Sequence, residues 1–338
     1  MSAIAQLKRA ALRGAGTPPG DAVLRGMSGR GGALVLAYHR FRTPQRPPVP
    51  SDPDAVATDA LDAQMRHLRR HFDVVGPEDL PAALAGRRER VVVVTVDDGY
   101  RDGYEVAYPV FAAHGIPATY FIATGFPDGE AQAWWEELRR MVERTRVPSL
   151  PRSRWLPEAV PVRGPAREPA IRLLQRIYAR LPAAEAATFL EHIGRAAGTG
   201  RLRADPGGTW MTWDMIRALR LGGMRIGGHT ADHPVLSRLA PGAQRDEVAR
   251  CGARLEAEVA EPMRWFAYPV GAREAFDRHS KDALREHGVE LAFSCYGGWA
   301  SPAAVVDPYD VPRATVGAGL DLPGFRRLTG LPATFARW

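Results

Sequence analysis

Two aspartates, Asp97 and Asp98, stand directly after Val91–Val96, a run of five valines and one threonine. Carboxylates at the end of so apolar a run cannot be buried unpaired; a buried charge needs a partner or a metal. Adjacent residues at a strand end diverge, so the two carboxylates are free for different work: one binding a cation, the other standing as a base. Gly99 lets the backbone turn sharply behind them. The plain alternative is an Asp-Asp-Gly turn in solvent. Further along, His229 and His233 are four residues apart, which brings two imidazoles to one side of a helical turn, a common geometry for metal ligands. One carboxylate with two histidines leaves positions open for water and substrate, as a hydrolytic metal site requires. Two loop histidines alone would read as solvated side chains; beside the Asp-Asp pair the metal reading is the stronger. Thr230 and Asp232 read as loop-shaping hydrogen bonders. A third histidine, His39, ends another apolar run, Ala33–Tyr38.

The elements that must position these residues alternate between strand and helix. Predicted strands are Ala33–Tyr38, Val91–Val96, Pro117–Ala123, Met224–Gly228, Met263–Tyr268, Val289–Ser294 and a short Asp310–Arg313, about seven in all. Predicted helices include Asp59–Phe72, Asp102–His114, Trp213–Leu221 with Thr212 as N-cap, Gly242–Val259, Phe276–His287 and Pro323–Thr329. Residues 42–57 are rich in proline and read as a loop. A valine-rich strand buried on both faces, with helices between strands, predicts a parallel α/β core. From 126 to 206 the alternation stops: helices at Trp134–Arg146, Glu168–Leu181 and Ala183–Ala197 with no convincing strand predict a helical insertion. In a parallel barrel the C-terminal strand ends form the mouth where chemistry gathers. His39, Asp97-Asp98-Gly99, His229–His233 and Pro269-Val270-Gly271 all fall at such ends.

Thr95-Val96-Asp97-Asp98-Gly99 resembles the T-F-D-D-G motif of the polysaccharide deacetylases, the NodB-homology group also called carbohydrate esterase family 4. His229-Thr230-Ala231-Asp232-His233 resembles their H-S/T-x-x-H motif, and Tyr268-Pro269-Val270-Gly271 the end of their R-x-P-Y-G motif. The resemblance covers residues 33–125 and 207–315. It implies a distorted (β/α)7-type barrel, with Asp98, His229 and His233 as ligands of a divalent metal, most often Zn²⁺, with Co²⁺ or Ni²⁺ as substitutes. It implies Asp97 as general base and the Val270 N–H as an oxyanion donor. Three departures stand out. Ala267 replaces the expected arginine, Val270 the expected aromatic, and no late Leu-x-His motif supplies a general acid; Asp307, Asp310 and Arg313 are the later polar candidates. Leu36-Ala37-Tyr38-His39-Arg40 resembles the early Tyr-His strand end of a circularly permuted branch, which implies His39 as general acid. Arg313 is the candidate to replace the missing arginine as partner of Asp97.

Composition fits that reading. With 338 residues, 45% hydrophobic and 25% charged, the chain is ordinary for a globular protein and excludes a disordered tail, a collagen-like chain or a disulfide-stapled miniprotein. The net charge of +7 is scattered arginine with no nucleic-acid motif, so no nucleic-acid partner is expected. Cys251 and Cys295 lie far apart and read as buried reduced thiols. Residues 1–13 have apolar residues at helical spacing and a basic face, interrupted by Gln6, Lys8 and Arg9; they read as a short amphipathic helix that packs on the domain or touches a membrane surface weakly, not as a secretion signal. The expected division is a basic helix and linker at 1–32, a deacetylase barrel at 33–125 and 207–338, and the insertion at 126–206. The expected location is the cytoplasm or the inner membrane face, and the expected partner is an N-acetylated sugar or glycan. Trp134, Trp135 and Trp210 are candidates to stack on sugar rings, or else core. Rival readings are an O-acetyl esterase or other amide hydrolase on the same barrel, a glycan-binding protein without activity, and a membrane-surface scaffold.

Overall fold

A computed structural model describes residues 32–45, 47, 52–202, 207–300 and 306–330. The expected amphipathic helix at 1–13 and nearly all of the linker lie outside these residues. The strands are β1 (Ala33–Tyr38), β2 (Phe41–Arg42), β3 (Val56–Ala57), β4 (Asp73–Val75), β5 (Val91–Val96), β6 (Thr119–Ile122), β7 (Ser149–Leu150), β8 (Val160–Pro161), β9 (Arg225–Gly228), β10 (Trp265–Ala267), β11 (Leu291–Gly297), β12 (Trp299–Ala300) and β13 (Val311–Thr315). The α-helices are α1 (Thr58–His71), α2 (Leu80–Leu84), α3 (Tyr108–Ala113), α4 (Trp134–Arg144), α5 (Arg167–Tyr178), α6 (Ala183–Ala196), α7 (Trp213–Leu221), α8 (Pro241–Val259), α9 (Arg278–Glu286) and α10 (Leu322–Gly330).

Seven strands close a parallel barrel in the order β1, β5, β6, β9, β10, β11, β13 and back to β1. The expected (β/α)7-type barrel is therefore the fold. β4 joins the lower half of β5, and β12 lies antiparallel on β1. The pleat sorts the side chains with period two. Leu34, Leu36, Val92, Val94, Tyr120 and Phe266 face the surrounding helices, where they meet Leu61, Met65, Phe111 and Leu255. Ala33, Val35, Val91, Val93, Phe121, Phe293 and Val311 form a separate cluster inside the ring. Continuing that parity along β5 and β13 turns Thr95, Asp97 and Arg313 toward the barrel axis.

Register then levels the strand ends. Tyr38 pairs with Val96 and Ile122 with Gly228. The Asp97 N–H donates to the Tyr38 carbonyl at 2.9 Å, and the His229 N–H to the Ile122 carbonyl at 3.0 Å. His39, Asp97 and His229 thus leave the sheet at one rim. The strand before His229 is Gly227-Gly228 because neighbours press on it: a Cβ at Gly228 would meet Met263 Sδ at 2.1 Å, and one at Gly227 the Phe121 ring at 2.7 Å.

Several local expectations are corrected. The helix expected over Asp102–His114 opens as a π-helix at Gly103–Ala107 before the short α3. The expected loop at 42–57 is held at its ends by the parallel pair β2–β3. The insertion region contains an antiparallel pair, β7–β8, because residues 147–163 fold back on themselves. Helices α4, α5 and α6 bury their own cluster, including Leu138, Met141, Leu174, Phe189 and Ile193. Beneath it the buried Glu137 carboxylate accepts from Arg201 Nε at 2.6 Å and from the Leu202 N–H at 2.9 Å. Among the described residues, no helix is long and apolar enough to cross a membrane.

Candidate active site and metal centre

At the rim, His39, Asp97, Asp98, His229, His233, Val270 and Arg313 line one pocket of about 180 Å³ with Trp134, Trp135, Tyr268 and Cys295. Three of these side chains converge. Asp98 Oδ1 lies 3.3 Å from His229 Nε2 and 3.3 Å from His233 Nε2, and the two Nε2 atoms are 3.1 Å apart. All three residues are buried. His229 Nδ1 lies 2.7 Å from the Ala267 carbonyl, an atom that only accepts, so Nδ1 carries the proton and Nε2 keeps its lone pair in the neutral ring. Burial lowers the His233 pKa despite the hydrogen bond with Asp98, and so favours the neutral ring. A carboxylate oxygen and a ring nitrogen lone pair meeting a second imidazole in a dry site call for a cation. The separations match the edges of a tetrahedron with bonds of about 2.0–2.1 Å, as Zn²⁺ forms with N and O donors. The residues present therefore fit a divalent metal. His233 Nδ1, by contrast, is buried with no hydrogen-bond partner among the described residues.

The histidines do not sit on a helical turn, as the four-residue spacing suggests. They sit in a loop whose Thr230 and His233 both have left-handed backbone, φ 66° and 55°. The Thr230 hydroxyl accepts from the His233 N–H at 2.9 Å and closes the turn, as its residue type suggests. Asp98 (φ 72°) and Val270 (φ 65°) are left-handed too. For a β-branched residue such as Val270 this is a true outlier. Three of the six left-handed non-glycine residues described, Asp98, His233 and Val270, thus line one pocket, and Thr230 stands in the loop behind it. Each costs on the order of 1–3 kcal/mol, and such strain collects where geometry serves function.

Asp97 stands apart from the trio. Arg313 Nη1 and Nη2 each donate to one of its oxygens at 2.7 Å, a bidentate pair with both partners buried. Arg313 is itself fixed by the Ser294 carbonyl at 2.9 Å and the Thr95 hydroxyl at 3.0 Å. Burial alone would raise the Asp97 pKa; the Arg313 charge and hydrogen bonds, with His229 and His39, more than offset it and hold the carboxyl below its ordinary range. Burial acts on Asp98 in the same way, yet its contacts with His229 and His233 hold it well below its ordinary range. His39 is the accessible member: its side chain is 36% exposed, with Nε2 3.7 Å from Asp97 Oδ2. Val270 is 40% exposed, and its N–H has no backbone acceptor among the described residues.

Helix α4 forms one wall through Trp134 and Trp135. The Trp135 ring packs 4.3 Å from the His233 ring, and its indole N–H donates to the Tyr100 hydroxyl at 2.6 Å. Tyr100 in turn donates to Glu136 Oε1 at 2.5 Å, beneath the Arg40 guanidinium. Arg40 Nε donates to Asp102 Oδ2 at 2.8 Å, and burial pushes that carboxyl up to about 6. Of the three candidate tryptophans, Trp134 and Trp135 reach the pocket. Trp134 also stacks on Tyr178, and Trp210 is packed between Tyr100 and Phe126. Asp307 and Asp310 lie away from the pocket, paired with Lys281. Cys251 is buried as expected, but Cys295 is only partly covered and lines the pocket, because inward parity on β11 brings it there. Tyr100 and Glu136 carry no signal in the sequence, and Arg40 stands there only as the residue after His39. The Ala267 and Ser294 carbonyls carry no side-chain signal at all.

Replacing Asp98 with alanine removes the one anionic donor of the trio. Equilibrium dialysis with metal analysis should then find stoichiometric Zn²⁺ in the native chain and almost none in Asp98→Ala. Full occupancy in that variant would remove Asp98 from the ligand set.

The polysaccharide deacetylase family model matches residues 85–147 and 177–292, together more than half of the chain. YxkH of Bacillus subtilis (strain 168), whose name places it among polysaccharide deacetylases, is 29% identical over 92 residues; the match spans 26% of this chain and 30% of that protein's length. Among solved structures, the fold resembles that of the Streptococcus pyogenes deacetylase PplD in complex with acetate, with a TM-score of 0.55 and 16% identity over 88% of this chain and 96% of that one. It also resembles IcaB from Ammonifex degensii, with a TM-score of 0.56 and 21% identity over 89% and 97% of the two chains. At those identities the likeness to the solved structures is one of fold. The family match and the barrel agree, and the chain belongs to the polysaccharide deacetylase family.

Proposed function

We propose that this chain is a metal-dependent hydrolase that removes N-acetyl groups from an amino sugar in a polysaccharide, lipid-linked glycan or glycoconjugate. The observation that carries the reading is the separation of two carboxylates at one rim: Asp98 joins two imidazoles, while Asp97 is locked in its ionised form by Arg313. Adjacent aspartates with such different partners suit different roles. A divalent ion held by Asp98, His229 and His233, with Zn²⁺ the best match to the donors, would supply Lewis acidity and a water of lowered pKa.

The chain's own groups do the rest. Asp97, which lines the pocket, takes the proton of the attacking water; Arg313 fixes its plane. The Val270 N–H donates to the carbonyl oxygen as it gains negative charge. His39, as imidazolium, gives a proton to the leaving amine. Trp135 and Trp134 exclude water from one side. The pocket is smaller than the roughly 300–1,000 Å³ typical of drug-sized ligands, so it suits one acetamido group and the adjoining ring edge, with the rest of a glycan outside. In this reading residues 33–125 and 207–338 are the catalytic barrel, and 126–206 is an inserted wall. The cytoplasm or inner membrane face remains the proposed location.

His39→Ala tests the role least tied to the metal. General acid catalysis contributes about 10²–10⁴-fold, so turnover should fall by that factor with metal content unchanged. Unaltered turnover would rule His39 out as the acid.

A further inference from the structure

The loop that carries both histidines is strained, and something must hold it. Its peptides at Ala231 and Asp232 point their N–H groups at one carboxylate: Glu247 Oε2 accepts from Ala231 at 3.1 Å and from Asp232 at 3.0 Å. Glu247 belongs to α8, fourteen residues beyond His233. It lies on the helix face that buries Gln244, Val248, Cys251 and Leu255 and is 7% exposed. A carboxylate on the core face of a helix needs a reason, since desolvating it is costly unless it is paired. Here its other oxygen pairs with Arg250, which also donates to Asp232 Oδ2 at 2.6 Å. On the opposite side the loop carbonyls of Thr230 and Ala231 accept from Thr124 at 3.2 Å and Gly125 at 2.9 Å. The two peptides between the histidines are thus gripped from both sides.

We propose that Glu247 is a positioning residue: its two backbone hydrogen bonds hold loop 229–233 in the left-handed shape that aims His229 and His233 at one point. The proposal rests on those histidines being metal ligands. Outer partners of metal ligands typically change affinity about 10–100-fold when lost. Glutamine keeps an acceptor oxygen at the same reach, whereas aspartate is one methylene too short. The expected order of Zn²⁺ affinity, measured on the full chain by competition with a chromogenic chelator, is therefore native, then Glu247→Gln within about fivefold, then Glu247→Asp and Glu247→Ala about 10–100-fold weaker.

Thermal unfolding of the metal-free variants separates positioning from bulk stability. Weakened affinity in the Ala and Asp variants, rescued by Gln, supports the clamp even where the melting temperatures are alike. Native affinity in Glu247→Ala, or a Gln variant as weak as Ala, overturns it. Hydrogen exchange on the native metal-free chain needs no variant: the Ala231 and Asp232 amides should be protected, and exchange at the rate of free coil overturns the clamp. A native chain that binds no Zn²⁺ while those amides stay protected would instead count against the metal reading of the site.

Discussion

Replacing Arg313 with methionine should cost about 3–5 kcal/mol of stability, the range for removing one partner of a buried ion pair. Methionine fills much of the space, so the loss reports the stranded Asp97 carboxylate more than a cavity. The pH dependence carries the sign. In the native chain Asp97 has a depressed pKa, so its contribution is present above the ordinary carboxylate pKa and is lost only as pH falls through the still lower folded value. Without Arg313 the largest remaining influence is burial, which raises the pKa. The folded variant then holds a proton that the unfolded chain has released, and its stability falls as pH rises. Denaturant unfolding of metal-free protein should find the gap between native and variant wider at pH 7.5 than at pH 5.5. A gap under about 1 kcal/mol, or one that does not widen, would contradict the account of this pair.

The second large effect is on catalysis. Asp97→Asn removes the proposed proton acceptor and leaves Asp98, His229 and His233 in place. Turnover should drop by about 10²–10⁴-fold while metal stoichiometry stays at the native level. Loss of metal together with activity would place Asp97 among the ligands; native turnover would remove it from the mechanism. The variant also strands part of the Arg313 guanidinium, because an amide offers one acceptor where the carboxylate offered two. Its unfolding midpoint should therefore fall as well, and turnover must be measured well below that midpoint.

The strands that build the rim were legible where composition leaves no choice. Val91–Val96 is β-branched throughout and has the boundaries expected, as do Ala33–Tyr38 and Trp213–Leu221. The strands Thr119–Ile122 and Trp265–Ala267 are shorter than expected, each by two residues at the start and one at the end. Motif positions placed His39, Asp97, Asp98, His229, His233 and Val270 at strand ends, and they share one pocket. The Arg313–Asp97 contact was suggested by a missing arginine, but its cause is geometric: both residues lie on the inward parity of neighbouring parts of the barrel. What stayed hidden depends on backbone and on distance along the chain. The left-handed loop at 229–233, the Ala267 carbonyl behind His229 and the Glu247 carboxylate beneath the loop leave no local pattern. Trp135 was visible as an aromatic residue, yet its seat against His233 is set by how α4 packs on the barrel.

Metal-assisted removal of acetyl groups from nitrogen in this pocket has a direct readout. The most direct measurement is acetate and free amine released together from N-acetylglucosamine oligomers by the full chain, metal-stripped and then reloaded with Zn²⁺, Co²⁺ or Ni²⁺, beside an O-acetylated glycan. Equal amounts of acetate and amine are expected from the N-acetylated substrate, only after reloading. Release that ignores the metal, or release from the O-acetylated glycan alone, would contradict it.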